Sequence, residues 1–173
     1  MHYRLLLRWN RVVNLTRVTR LEEAVRRHYG ESLFLAANLP VGSLDILDVG
    51  SGAGFPGLPI AAVRPECRVV LAERRRRKAA FLREATRGWP NVAVFAGDAE
   101  EVAGEFDWVV SRAVTPQAIV ELAAKKAKWV GLLAGEEAVK KVGSRPVVRW
   151  RAPVALPWGR RRVLLIGQVL GCS

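Results

Sequence analysis

The sequence contains few cysteines and no long apolar segment. Cys67 and Cys172 are its only cysteines, and their spacing and neighbours suggest neither a metal site nor a disulfide framework. No apolar run approaches the roughly 18 residues that a membrane span requires. Arg4 and Arg8 interrupt the apolar start too early for a secretory signal peptide. We therefore expect a cytoplasmic protein that is not bound to a membrane and has no metal centre.

Acidic residues are scarce relative to basic ones. The chain has 28 Lys and Arg residues against 16 Asp and Glu residues, which gives a formal net charge of +12 and an isoelectric point near 11.0. An excess of this size attracts polyanions and speeds their encounter with the protein. Nucleic acid is the partner class that the charge favours, and an acidic membrane surface is the lesser candidate. A solvated basic surface without a partner is the alternative.

Length and composition are those of an ordinary globular protein. Half of the 173 residues are hydrophobic and a quarter are charged, which suffices for one domain with its own core. We predict a single domain over residues 1–173, with residues 1–40 forming a helical segment packed on it.

Apolar patterns along the chain alternate between strands and helices. Thr19 is predicted to cap the second helix, because Glu22 completes a capping box three residues later. Helices are predicted over 2–13, 19–38, 75–87 and 116–128, with another running from a glycine-rich turn to residue 64. Strands are predicted over 44–49, 68–72, 91–95, 106–111, 132–139, 147–150 and 162–169. This order predicts an α/β fold: a doubly wound, mostly parallel seven-stranded sheet with short N-terminal helices and a closing antiparallel hairpin.

A glycine-rich turn follows the first predicted strand. It begins with Asp48 and contains glycines at positions 50, 52, 54 and 57. In open α/β sheets the ligand crevice lies at the carboxyl ends of the strands, where glycines let the backbone approach a ligand. The spacing fits a dinucleotide, with pyrophosphate on the helix N-terminus, and also fits S-adenosylmethionine. The Asp48 carboxylate favours the second ligand, because it would attract an ammonium group and repel a pyrophosphate. A tight turn without a ligand is the third interpretation.

Acidic residues also follow the next two predicted strands. Glu73 ends the second strand and can accept hydrogen bonds from ribose hydroxyls. Asp98, Ala99 and Glu100 follow the third strand, where a carboxylate and backbone amides can contact an adenine edge. Either of these acids alone is more often a helix cap. The series of three strand ends predicts a nucleoside-binding site.

Several segments together resemble a known family. Trp9, Asn10 and Arg11, then Asn14, Leu15 and Thr16, then His28 and Ser32 match its N-terminal signatures. The string from Asp48 to Pro59 and the triplet Ser111, Arg112 and Ala113 match further ones. On these residues the chain resembles the small-subunit (16S) ribosomal RNA guanine-N7 methyltransferase family (RsmG/GidB), from about residue 9 to residue 169. Glu31 stands where the family has Asp, and the segment Lys140, Lys141, Val142 and Gly143 can supply the family's late Lys-Gly element in more than one register.

This resemblance implies a Rossmann-like class I methyltransferase that transfers a methyl group from S-adenosyl-L-methionine to N7 of a guanosine in 16S ribosomal RNA. It implies small-subunit ribosomal RNA or a ribosomal assembly intermediate as partner, and we expect a monomer. The predicted catalytic residues are Arg112 and His28. The predicted cofactor-binding residues are Asp48, Gly50, Ser51, Gly52, Gly54, Phe55, Glu73, Asp98, Ala99, Glu100 and Arg112. The predicted substrate-binding residues are Asn14, Arg112, Lys140 and Lys141.

The expected chemistry needs no general base, because guanine N7 carries a lone pair and no proton. Catalysis would come from alignment of the reacting atoms and exclusion of water. Arg112 has two equal interpretations: a hydrogen bond to guanine O6 or a phosphate, or an ion pair with a carboxylate at the cofactor site. The rival functions are a methyltransferase for another substrate, an RNA-binding relative without activity, and a nicotinamide-dependent oxidoreductase.

Overall fold

The computed structural model describes residues 1–112, 114–142, 147–158 and 161–171. Three residues used in the sequence analysis, Ala113, Gly143 and Cys172, lie outside these ranges. Cys67 is a buried free thiol. In the described ranges, no helix has the length and apolarity needed to cross a membrane, and no group of three or more His, Cys, Asp or Glu side chains could hold a metal ion.

Eight strands of the described ranges form one sheet. They are β1 (Asp45–Val49), β2 (Arg68–Ala72), β3 (Val92–Phe95), β4 (Phe106–Ser111), β5 (Ala127–Gly135), β6 (Val148–Trp150), β7 (Val154–Ala155) and β8 (Arg162–Val169). The strand order is β3-β2-β1-β4-β5-β8-β6, and β7 pairs with β8. The first five strands in this order are parallel, whereas β8 runs antiparallel to β5, β6 and β7. The predicted doubly wound, mostly parallel α/β fold is confirmed. The short strand β7, which sequence periodicity missed, makes the sheet one strand larger than predicted.

Helices cover both faces of the sheet. They are α1 (His2–Asn10), α2 (Leu21–Ala24), α3 (Glu31–Ala37), α4 (Gly57–Val63), α5 (Arg76–Ala85), α6 (Pro116–Lys126) and α7 (Glu137–Val142), with a π-helical segment (Val25–Gly30) joining α2 to α3. Successive strand residues alternate between the faces. Ile46 and Trp108 pack in one hydrophobic cluster with α4 and α5, and Leu47 and Val109 pack in the other with α6. Because the chain changes face between β3 and β4, the strand order reverses at β1, which is where such sheets bind ligands.

The N-terminal helices pack on the face that carries α4 and α5. Helix α1 contacts α5, and α3 contacts both α4 and β5. Leu6 of α1 and Leu35 of α3 are 1% and 0% exposed and share a cluster with Ile46 of β1. Each such side chain contributes roughly 1.5–3 kcal/mol through burial. The helical segment therefore closes one wall over the carboxyl ends of the strands.

The predicted start of the second helix was wrong. Its N-cap is Arg20, whose backbone is extended, and no side chain caps the helix. The Thr19 carbonyl instead accepts a hydrogen bond from the Tyr3 hydroxyl at 2.6 Å. This tertiary contact holds Thr19 outside the helix and overrides the local capping pattern.

The predicted boundaries after residue 126 were also wrong. Strand β5 begins at Ala127, where helix was expected, because Trp129 and its neighbours pair with β4 and β8 on both sides. Residues 137–139, predicted as the end of a strand, are instead the first half of α7. Ala138 and Val142, four residues apart, are the buried side chains of α7, and this spacing suits a helix.

Candidate functional site

Two adjoining cavities lie at the carboxyl ends of β1, β2 and β3. The first has a volume of about 300 Å³ and is lined by the ends of these strands and by α6. The second has a volume of about 380 Å³ and lies between the glycine-rich turn, the N-terminal segment and Arg112. Gly50, Glu73, Arg75 and Val114 line both cavities, so the two form one cleft. We call them the strand-tip cavity and the arginine cavity.

The glycine-rich turn forms the wall between the cavities. Gly50 and Gly52 have φ angles of +70° and +55°, which L side chains rarely adopt. A Cβ atom at Gly50 would lie 2.5 Å from Val114 Cγ2, so glycine is required there on steric grounds as well. A Cβ atom at Gly52 would meet nothing closer than the Gly50 carbonyl at 3.7 Å. Gly52 therefore keeps space open in the arginine cavity, which it lines.

Asp48 stabilises the turn from beneath. Its side chain is 0% exposed and does not line either cavity. Its Oδ2 accepts a hydrogen bond from the Gly57 amide at 2.9 Å, whereas Oδ1 is buried without a partner in the described part of the chain. Burial raises the pKa of Asp48 to about 7, against the opposing effect of the Gly57 hydrogen bond. The contact of this carboxylate with a cofactor stays a prediction, and the contact that is present is with the backbone of the turn.

Glu73 presents its carboxylate at the junction of the two cavities. Its Oε2 accepts a hydrogen bond from the Gly52 amide at 3.0 Å, and Oε1 accepts one from the Arg75 amide at 2.9 Å. The residue is 7% exposed. Each carboxylate oxygen has two lone pairs, so each can accept one further hydrogen bond from a ligand. The carboxylate is thus fixed in direction and still able to bind hydroxyl groups.

The loop after β3 closes the strand-tip cavity. Asp98, Ala99 and Glu100 all line it, and their contact with a cofactor stays a prediction. Asp98 also caps the short 3-10 helix Ala99–Glu101, because its Oδ1 accepts a hydrogen bond from the Glu100 amide at 3.1 Å. The capping and ligand interpretations of Asp98 are therefore compatible.

His28 lies between Arg112, Thr16 and Phe55 in the arginine cavity. Its ring stacks on Phe55 with a centroid distance of 4.8 Å. Arg112 Nη1 lies 2.5 Å from Nδ1, and Thr16 Oγ1 lies 2.8 Å from Nε2. Burial and the charges of Arg112 and Arg27 lower the pKa of His28 to about 3. His28 is therefore neutral at physiological pH, and both of its ring nitrogens are engaged.

Glu31 is the anchor of Arg112. Its carboxylate is 0% exposed and accepts hydrogen bonds from Arg112 Nε at 3.0 Å and from Arg162 Nη2 at 2.8 Å. Arg162 Nε also donates to it at 3.2 Å. Of the two interpretations of Arg112, the ion pair is present, but its carboxylate partner comes from α3 and not from the cofactor turn. Arg112 still lines the arginine cavity.

The structure does not bring every predicted site residue to the cleft. Ser51 and Phe55 line the arginine cavity, whereas Gly54 packs against Leu58. Asn14, Lys140 and Lys141 line neither cavity, and their substrate contacts stay predictions. The charged or hydroxyl-bearing residues that line the cleft but were not predicted as site residues are Thr16, Arg74, Arg75 and Lys78. Glu31, which holds Arg112 without lining either cavity, was not predicted either. Thr16 and Glu31 do lie within the segments that resemble the family, which is the signal that could have found them.

Comparison with known proteins places most of the chain in the family that the sequence motifs resemble. Residues 1–134 match the GidB family, described as rRNA small subunit methyltransferase G. A ribosomal RNA small subunit methyltransferase G from Nitrosomonas europaea is 45% identical over 113 residues, which cover 63% of this chain and 52% of that protein. The protein of the same name from Nitrosospira multiformis is 47% identical over 114 residues, covering 63% and 51%. The chain spans about half the length of these curated relatives.

Solved structures share the fold at low sequence identity. An S-adenosylmethionine-dependent methyltransferase from Aquifex aeolicus superposes with a TM-score of 0.69 at 12% identity, over 91% of this chain and 97% of that one. Fibrillarin from Aeropyrum pernix, solved with bound S-adenosyl-L-methionine, gives 0.65 at 18% identity, over 80% and 76%. The family match covers both the glycine-rich turn and the His28–Arg112 pair. The chain is therefore a member of the GidB family, the small-subunit ribosomal RNA methyltransferases G.

Proposed function

We propose that this chain transfers a methyl group from S-adenosyl-L-methionine to N7 of a guanosine in 16S ribosomal RNA. The observation that carries the proposal is the cleft at the ends of β1, β2 and β3, with the Glu73 carboxylate at the junction of its two cavities. Family membership supplies the reaction and the substrate class. The chain covers about half of these relatives' length, and methyl transfer to RNA is the activity to be tested.

The strand-tip cavity has the features that a nucleoside ligand needs. Glu73 has free lone pairs that can accept hydrogen bonds from ribose hydroxyls. The Asp98–Glu100 loop lines the same cavity, where its backbone and carboxylates can hydrogen-bond the edge of the base. Gly50 and Gly52 keep the adjoining wall free of side chains. Asp48 lines neither cavity and contributes by holding the glycine-rich turn through the Gly57 amide. The residues present therefore fit S-adenosylmethionine.

The arginine cavity suits the RNA. Arg75, Lys78 and Arg112 line it, and their charge, within a chain of net charge +12, favours the phosphates that flank a target base. An unpaired or splayed guanosine exposes its N7 edge to such a cavity. Arg112 Nε and one N–H of Nη1 bind Glu31 and His28, which leaves Nη2 and the second N–H of Nη1 for the substrate among the described contacts.

The residues of the cleft hold and shield the reactants rather than move protons. When bound, the cofactor supplies an electrophilic methyl group on a sulfonium. Guanine N7 loses no proton on methylation, so the site needs no base, and His28 has no free ring nitrogen to act as one. The contacts of His28 support a positioning role, in which it connects Arg112 to Thr16. Phe55 and the N-terminal segment exclude water from this side of the cleft.

The finer features of the proposal concern partner and location. We propose that the substrate is small-subunit RNA, free or in an assembly intermediate, and that the protein acts as a cytoplasmic monomer. The monomeric state has a direct test. A sedimentation measurement at assay concentration tests it, because a stable dimer would contradict it.

The experiment is methyl transfer from labelled cofactor to small subunits, or their RNA, from a strain that lacks this activity. We expect label in 16S RNA, and nuclease digestion should release it as 7-methylguanosine. Gly52→Val serves as the inactive control, and Glu22→Gln, at an exposed residue outside both cavities, as the active one. Salt-dependent RNA binding without transfer would favour the non-catalytic alternative. Label in protein or in a small molecule would favour another substrate.

A further inference from the structure

Thr16 is a polar residue of the arginine cavity that the reaction as proposed does not use. It is half-buried and lines the cavity beside His28 and Arg112. We infer that the Thr16 hydroxyl donates a hydrogen bond to the methylated base, at guanine O6, and so selects guanine over adenine. This inference rests on the proposed function and identifies the group that reads the base.

The backbone of Thr16 is fixed by a single side chain. Asn10 Oδ1 accepts hydrogen bonds from the amides of Leu15 and Thr16 at 2.9 and 3.0 Å. Asn10 Nδ2 donates to the Thr16 carbonyl at 3.0 Å. Both backbone polar groups of Thr16 are thereby satisfied, and its Cα position is set by the end of α1. A side chain on such a support keeps its direction before a ligand arrives.

The neighbouring contacts fix the direction of each proton around Oγ1. Arginine can only donate, so His28 Nδ1 is the acceptor in its 2.5 Å contact with Arg112 Nη1. The proton of the neutral ring must then be on Nε2, which donates it to Thr16 Oγ1 at 2.8 Å. The lowered pKa of His28, caused mainly by burial, keeps the ring in this neutral form. Because Arg112 donates to His28 Nδ1, His28 Nε2 carries the proton, and Thr16 Oγ1 is the acceptor in its contact with His28.

A second donor completes the set. The Val18 amide donates to the same Oγ1 at 3.0 Å. A hydroxyl has two lone pairs and one proton, so His28 and Val18 use both lone pairs. Among the described residues the hydroxyl proton has no acceptor. Thr16 can therefore only donate to a ligand in the arginine cavity.

A donor-only group next to the reacting nitrogen distinguishes the two purines. Guanine has an acceptor, O6, beside N7, whereas adenine has the N6 amino donor at that position. Thr16 would donate a hydrogen bond to guanine O6, whereas in adenine it would face another donor, the N6 amino group. Sites that hydrogen-bond a substrate group reject analogues that lack it, because the group in the protein is then left unpaired.

The test combines base analogues with substitutions at Thr16. RNA carries guanosine or 2-aminopurine, which keeps N7 and lacks O6, at the nucleotide mapped by methyl labelling. We expect the wild type to prefer guanosine about tenfold or more in kcat/KM. Thr16→Val should lose a similar factor on guanosine and show little preference between the two RNAs. Thr16→Ser keeps the hydroxyl and should retain the preference.

The outcomes separate the two proposals. Suppose that the wild type is active and that Thr16→Val lowers kcat/KM equally on both RNAs, so that the preference for guanosine survives. Thr16 is then merely structural, and this inference alone is overturned. A wild type that methylates no guanosine RNA overturns the proposed function as well. If Thr16→Val does not fold, the wild type is assayed on 2,6-diaminopurine RNA, which places an amino donor at the O6 position. Methylation of that RNA at the guanosine rate also overturns the inference.

Discussion

The substitution Glu31→Gln tests the charged network that positions Arg112. Glu31 is the first residue of α3 and is fully buried, and its carboxylate binds Arg112 and Arg162. Glutamine has nearly the same shape but no charge, and its amide group would point a donor at one of the guanidinium groups. Two arginine side chains would then lack their counter-ion, and Arg112 would lose its anchor next to His28.

The expected cost follows from burial. Removing one partner of a buried ion pair typically costs about 3–5 kcal/mol, because the remaining charge stays buried. The Arg112 and Arg162 side chains are 15% and 24% exposed and keep partial hydration, so we expect the lower end, about 3 kcal/mol. This is a large part of the roughly 5–15 kcal/mol that stabilises a typical domain.

Urea unfolding followed by tryptophan fluorescence measures the free energy of unfolding of the variant. The control is Glu22→Gln, which breaks the exposed pair with Arg26 at 2.9 Å, where the two side chains are 73% and 64% exposed. Such a surface pair contributes about 0.5 kcal/mol or less. If Glu31→Gln loses no more stability than Glu22→Gln, Glu31 is not the anchor that the geometry indicates.

The remaining predictions concern the glycine-rich turn and the buried acid beneath it. Gly52→Val should abolish S-adenosylhomocysteine binding in calorimetry. The control is Gly88→Val, at a glycine that also has a positive φ and faces open space, and this variant should bind the ligand normally. Equal affinities of the two variants would reject the assigned cleft. Burial raises the pKa of Asp48 in the folded state from its ordinary value of 3.8 to about 7. The folded state therefore holds this proton more tightly than the unfolded state, and the stability that protonation contributes is lost as pH rises from about 4 to about 7. Wild-type stability relative to Asp48→Asn should therefore fall over this range in urea titrations, and a flat or rising difference would contradict the burial argument.

The sequence predicts those parts of the site that depend on strand ends. Glu73 and the Asp98–Glu100 loop each follow a recognisable strand, and parallel strands bring their carboxyl ends to one edge whatever the details of packing. The direction of the Asp48 side chain was not predictable, because it depends on how closely Gly57 approaches β1. Proximity to a glycine turn suggested a ligand contact, while the backbone amide of Gly57 supplies the actual partner.

The other side of the cleft depends on contacts between distant residues. Arg112 reaches His28 across 84 positions, and Arg162 reaches Glu31 across 131. Periodicity and capping patterns contain no information on such pairings, and the family resemblance of the segments around Thr16 and Glu31 gave these two residues no role. Strand β5 was misplaced for a similar reason: pairing with β4 and β8 decides its start, and the helical propensity of residues 125–128 does not.

The central claim is that the ends of β1, β2 and β3 bind S-adenosylmethionine, and a calorimetric titration with S-adenosylhomocysteine tests it most directly. We expect saturable binding at a single site, with no comparable heat from NAD⁺. Glu73→Gln should weaken this binding, because it removes the negative charge of the carboxylate that accepts hydrogen bonds from the ribose hydroxyls. Absence of binding at saturating ligand, or tighter binding of NAD⁺, would contradict the account.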